Sequence, residues 1–258
     1  MSRRILVVTA SLLTFVAGCT SSPEAPDTEP PGASLVRDAS AALRDVTSVH
    51  FDLSTQGALP GFPIRSIEGV ATRSGWAMGE VDMQLPTERV QYEYELGQRE
   101  GASASGASAT STVPDGSSAD AASDTTVTLT DSDDVTTTAV MPERFTPAHL
   151  LARDGGLRDL LGDATELSTE SREDIGDVPT YRVSGTLPQA DISELLPGVP
   201  DDVAVKFWVT DNPERTLLRV WLQVPPRRPN QGATMIELGL SEHNEPIDVS
   251  STTPPPSS

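Results

Sequence analysis

The chain has 258 residues, with 38 acidic against 18 basic side chains, a net charge of −20 at pH 7 and a single cysteine. That balance argues against nucleic acid as a partner, because phosphate backbones need basic clusters, and against adhesion to anionic lipid through the protein surface. With one thiol no intrachain disulfide can form, so the folded part rests on apolar burial alone.

In chain order, Arg3 and Arg4 precede an apolar run from Ile5 to Val16, and Val16-Ala17-Gly18-Cys19 follows. The run is shorter than the roughly 20 residues of a spanning helix and reads as residues 1–18 of a secretory signal. Small residues before the lone cysteine resemble a bacterial lipobox, in which Cys19 becomes the diacylated N-terminus. Two acyl chains give stable attachment, so the expectation is a protein anchored by lipid to the plasma membrane on its extracytoplasmic face. Residues 19–33 are rich in Pro, Ser and acid and read as an extended tether.

Residues 34–248 read as one domain. Ser34 to Val46 puts Leu35, Val36, Ala39, Leu43 and Val46 on one helical face, with Ser34 as N-cap. Period-two runs follow at Val49–Leu53, Ile67–Ala71, Val81–Leu85 and Val90–Leu96, separated by Pro60-Gly61, Ser74-Gly75 and Pro86-Thr87. The stretch 97–126 is Ala, Ser, Gly and Asp without periodicity and reads as a long loop within the domain. Val127–Thr130 is a further strand. A helical stretch then opens with Thr146 as N-cap and Pro147 at its first position, and Gly155-Gly156 breaks it. Strands resume at Thr180–Leu187, Val203–Thr210, Thr216–Val224 and Thr234–Ser241, with a short helix at Gln189–Leu196 and a disordered tail at 249–258. The order defines an α+β fold with a large antiparallel sheet and helices on one face.

Catalytic chemistry finds no foothold in the residues. His50, His149 and His243 are far apart and lack metal-type partners, and no nucleophile elbow, phosphate loop, dinucleotide fingerprint or zinc spacing occurs. Asp131-Ser132-Asp133-Asp134 lacks the glycine and distal glutamate of a calcium loop. The expectation is a protein without enzymatic activity, cofactor or metal. The apolar strand residues admit two readings, a filled core or an open cavity for an acyl chain, and periodicity cannot choose between them.

Several stretches together resemble the LppX/LprA/LprF/LprG lipoprotein family of mycobacteria and related actinobacteria. They are the lipobox and tether, Val46-Thr47-Ser48-Val49-His50-Phe51, Gly57-Ala58-Leu59-Pro60-Gly61, Pro147-Ala148-His149-Leu150-Leu151 and Gly155-Gly156-Leu157-Arg158-Asp159-Leu160-Leu161. Thr180-Tyr181-Arg182-Val183-Ser184-Gly185, Val205-Lys206-Phe207-Trp208-Val209 and Leu217-Leu218-Arg219-Val220 complete the set. The chain departs from the family pattern at 97–126, where the family carries a Trp-containing turn. The resemblance implies a strongly curved antiparallel half-barrel with helices packed on its concave face. Between them a hydrophobic cavity would take acylated lipids: a triacylglyceride, a lipoglycan or a wall lipid. Such a protein would carry its lipid across the cell envelope, with a lipid transporter as partner. The cavity candidates on strands are Phe51, Leu53, Val81, Met83, Val183, Val205, Phe207, Val220, Ile236 and Leu238. On helices they are Leu43, Leu150, Leu157 and Leu160. The competing class is an envelope lipoprotein with a filled core and an acidic protein-binding surface. A large side chain at Val205 or Val220 is expected to abolish lipid uptake by a carrier.

Overall fold

The computed structural model describes residues 29–97 and 124–247, apart from 197, 229 and 231. The signal, Cys19, most of the tether, residues 98–123 of the long loop and the tail lie outside the described residues. Period-two alternation becomes strand throughout: β1 (Ser48–Gln56), β2 (Ile64–Thr72), β3 (Ala77–Gln84), β4 (Arg89–Leu96), β5 (Asp124–Thr130), β6 (Thr136–Pro142), β7 (Thr165–Ile175), β8 (Val178–Leu187), β9 (Val203–Thr210), β10 (Leu217–Val224) and β11 (Thr234–Ser241). They form one sheet of 11 strands in the order β6-β5-β4-β3-β2-β1-β11-β10-β9-β8-β7. Every neighbouring pair is antiparallel, and the sheet does not close, so β6 and β7 are its edges.

β1 and β11 meet at the middle of the sheet, joining two runs of consecutive hairpins. β6 and β7 are absent from the sequence expectation because neither buries a full face. All of β6 is partly or fully exposed, and β7 alternates exposed and half-buried residues. β5 begins at Asp124, so the last three residues of the expected loop are strand.

Among the described residues three α-helices accompany the sheet: α1 (Gly32–Ala42), α2 (Leu157–Asp163) and α3 (Gln189–Leu195). α1 buries Leu35, Val36 and Ala39, and a 3-10 turn at Leu43–Asp45 ends it. It starts before the expected cap, since the amides of Ser34 and Leu35 already donate to the Pro31 carbonyl at 2.9 and 3.2 Å. Ser34 is therefore inside the helix, with Pro31 at the cap position. Thr146 also fails as a side-chain cap. Its hydroxyl donates back to the Glu143 carbonyl at 2.7 Å, and Pro147–Leu151 is a 3-10 helix. Gly155-Gly156 separates that turn from α2, as the sequence indicates. α1 packs on β7, β8, β9 and α2, whereas the Pro147–Leu151 turn packs on β2.

Candidate functional site: an apolar cavity under the short helices

Strand register aligns one apolar side chain per strand into a continuous row. Tyr92 lies opposite Val81, Val81 opposite Ile67, and Ile67 opposite Leu53. Leu53 lies opposite Leu238, Leu238 opposite Val220, Val220 opposite Phe207, and Phe207 opposite Val183. A side-chain period of two keeps the whole row on one face. A second row runs from Thr55 through Ile236 and Leu222 to Val205.

Over the middle of these rows lies a cavity of about 350 Å³. Its sheet wall is Phe51, Leu53, Ile64, Ile67, Met83, Val220, Leu222, Ile236 and Leu238. Its other wall is Phe145, Pro147, Leu150, Gly155-Gly156, Leu157 and Leu160, with Ile192, Leu195 and Leu196 from α3 and the residue after it. Gly61, Phe62, Pro63 and Met141 add to the lining. Nearly all of this surface is hydrocarbon, the chemistry of an acyl-chain site.

Polar groups enter the lining at Arg144, Thr146 and His149, close together in the chain. The Arg144 guanidinium lies 4.8 Å from the centre of the Phe145 ring. Nδ1 of His149 is buried with no hydrogen-bond partner, although its residue is only half-buried. A smaller pocket of about 90 Å³ shares Arg144, His149, Leu160, Ile192 and Leu195 with the cavity and adds Asp159, Asp163 and Asp191. The apolar space thus ends against a mixed-charge rim.

Of the strand candidates, Phe51, Leu53, Met83, Val220, Ile236 and Leu238 line the cavity, and so do Leu150, Leu157 and Leu160 among the helical ones. Val81, Val183, Val205 and Phe207 do not; they are core residues exposed by at most 7%. α1 packs on β8 and β9, and Val183, Val205 and Phe207 on those strands are fully buried in the core. Leu43 lines a different and smaller pocket. Phe62, Ile64 and Ile192 are lining residues absent from the sequence expectation: Phe62 sits in a turn, Ile64 begins β2, and Ile192 lies within the short helix α3. Ile64 lies at a bulge opposite Met83, which hides its parity. His50 sits on β1 with Nδ1 3.5 Å from the Ser241 hydroxyl, and His243 follows β11, so the three histidines do not converge.

An open antiparallel sheet of 11 strands with few helices is the fold this chain shares with solved lipoprotein structures. The chain matches the LppX_LprAFG lipoprotein family over residues 31–97 and 122–249 and belongs to that family. It is 24% identical to the lipoarabinomannan carrier protein LprG of Mycolicibacterium smegmatis, over 95% of this chain and 93% of that one. It is 25% identical to LprG of Mycolicibacterium hassiacum, over 96% and 98%. Among solved structures it is similar to LprF from Mycobacterium bovis, with a TM-score of 0.64 at 18% identity, covering 84% of this chain and 95% of that one. LppX from Mycobacterium tuberculosis gives a TM-score of 0.59 at 18% identity over 86% and 100%. No helix of the described residues is long and apolar enough to cross a membrane.

Proposed function

We propose that this chain is a lipid-anchored carrier that takes acyl chains of an envelope lipid into the cavity and moves them from the plasma membrane outwards. The observation that carries this reading is the apolar cavity of about 350 Å³. The names of the LprG relatives, carriers of lipoarabinomannan, support the same direction. In this reading the sheet is a curved half-barrel, the helices pack on its concave face, and diacylated Cys19 holds the domain at the extracytoplasmic surface. A lipid transporter is the expected partner.

The mechanism is exchange of one apolar surrounding for another. Each methylene is worth about 0.8 kcal/mol when withdrawn from water, and bilayer and cavity both withdraw it. Transfer between them is therefore close to isoenergetic, and direction comes from supply and removal of lipid. At ~30 Å³ for a group the size of a water molecule, the cavity volume corresponds to about twelve methylenes. A longer or second chain requires α3 and the Pro147–Leu151 turn to move away from the sheet.

Native mass spectrometry of the C19S protein from an actinobacterial host tests the proposal. A stoichiometric adduct of acylated mass, lost on delipidation and regained with added glycerolipid, is the expected result. A bare protein that also refuses glycerolipids would replace the carrier by a protein-binding role for the acidic surface.

A further inference from the structure

In a chain of net charge −20, four arginines surround one small pocket. Arg44 comes from the 3-10 turn after α1, Arg73 from the β2–β3 turn, Arg153 from the segment before α2, and Arg158 from α2 itself. The pocket measures about 160 Å³, and Leu43, Leu150, Leu151 and Ala152 complete its lining. Two of the guanidiniums are held by main-chain carbonyls. Arg73 donates to the Arg44 carbonyl and, at 2.6 Å, to the Leu43 carbonyl. Arg158 donates to the Arg153 carbonyl.

Carbonyls fix these side chains without cancelling their charge. The ion pairs of the cluster are made by Arg158, with Asp159 at 3.4 Å and with Asp154 at 4.0 Å. Asp154 is fully exposed, and Asp159 is also engaged by the Gly155 amide at 2.6 Å. Asp45 follows Arg44 in the chain and is exposed. Stapling of turns accounts for Arg73 and Arg158. It does not account for Arg44 and Arg153, which are exposed and reach the same pocket.

Like charges from three separate stretches of the chain meet at this pocket, and an anion bound there would offset their repulsion. We propose that this pocket binds a phosphate group, clamped between the fixed Arg73 and Arg158 and the exposed Arg44 and Arg153. Planar guanidiniums match phosphate oxygens in pairs. At about 160 Å³ the pocket has room for a phosphate group together with bound water, one water taking ~30 Å³. Leu150 lines both this pocket and the apolar cavity, so a phosphate here lies across one side chain from acyl chains there. The phosphate site stands on the arginines alone. That its natural source is a phospholipid headgroup, and not free phosphate, rests on the carrier reading above.

The test is calorimetric titration of the C19S protein at fixed ionic strength with inorganic phosphate, dihexanoyl phosphatidate and dihexanoylglycerol. The two lipids carry the same chains, and only one carries phosphate. The comparison proteins are the R44Q/R153Q double variant, altered at exposed positions, and V220W, which fills the cavity. We expect phosphatidate to bind the parent at least tenfold more tightly than the diacylglycerol. R44Q/R153Q loses that margin and leaves diacylglycerol binding unchanged, while V220W loses both lipids and keeps inorganic phosphate. Equal affinity for inorganic phosphate and phosphatidate, both reduced in R44Q/R153Q, supports the site with free phosphate as its source. If no lipid binds the parent but phosphate binding persists and depends on the two arginines, the carrier reading fails and the phosphate site stands. If R44Q/R153Q retains its melting temperature and binds phosphate and phosphatidate as the parent does, or if the parent binds neither, the proposal is overturned.

Discussion

Gly69 on β2 lies opposite Gly79 on β3, and Gly79 lies opposite Tyr94 on β4. The Tyr94 ring crosses the space the glycines leave, and its hydroxyl donates to the Glu68 carbonyl at 3.4 Å. A methyl on Gly79 would overlap the Glu68 carbonyl oxygen, and one on Gly69 would stand 2.7 Å from the Tyr94 hydroxyl. Since the contacts at Gly79 are with main chain, relief requires a strand to move. Gly79→Ala is expected to cost about 2–4 kcal/mol in urea denaturation. Gly162, in α2 with open space around its Cα, gives the opposite sign: Gly162→Ala should stabilise by about 0.5–1 kcal/mol through helix propensity. A third residue sets acid sensitivity. Burial pushes the His243 imidazole below its ordinary value of 6.5, opposed by a main-chain hydrogen bond at Leu217, and Nε2 is buried without a partner. As pH falls below 6.5 the unfolded chain takes the proton first, so stability drops from there until the folded value is passed. Melting temperature between pH 7.5 and 5.5 should fall more steeply for the parent than for His243→Gln. Arg89 holds the Asp82 carboxyl low, and Lys206, then Arg182, do so for Glu170. Those contributions are present at neutral pH and are lost only below the usual carboxylate range.

At the scale of elements, β8, β9 and β10 show what alternation can and cannot reveal. Their outward face is a charge ladder. Glu170 lies 2.8 Å from Arg182 and 2.9 Å from Lys206, Arg219 lies 3.1 Å from Glu237, and the Arg219 guanidinium sits 5.7 Å from the Trp208 ring. Trp208 donates its indole N–H to Glu173, on the face opposite Phe207. That parity was legible, because a strand buried on one side alternates strictly. What covers the buried side was not. Val205 and Val220 have equivalent patterns, yet Val205, on a strand that α1 packs against, is fully buried away from the cavity lining, and Val220 lines the cavity. Val205→Trp is therefore expected to overpack the core by about 1–3 kcal/mol and lower the melting temperature. Val220→Trp should place its ring in existing space, leave the melting temperature within a few degrees, and abolish acyl-chain binding by native mass spectrometry. Equal melting temperatures with retained binding in both variants would put the cavity elsewhere.

Across the whole molecule, the apolar row from Tyr92 to Val183 shows why family and fold were readable while the site was only partly so. Each strand contributes residues whose pattern is visible locally. Their alignment into a row depends on register, and the space above the row depends on where α1 stops. The two edge strands escaped for a physical reason. β7 carries Glu166, Glu170, Arg172, Glu173 and Asp174, charge of the kind that blunts a sheet edge. β6 has three threonines in succession, with Val140 67% exposed. Neither has the buried face on which strand recognition relies. The four-arginine pocket was equally invisible, because its members are separated by as much of the chain as lies between Arg44 and Arg158.

The junction of β1 and β11 governs how the protein comes into being. β1 ends at Gln56 and its partner does not begin until Thr234. A chain emerging from its amino end can zip β1 through β6, and later β7 through β10, as local hairpins. The seam between those halves waits for the final strand. Long-range closure of this kind is slow, so the two halves of the sheet stay unjoined until Thr234–Ser241 is available to pair with β1. Removal of the last strand would leave two sheets with raw inner edges and no cavity between them.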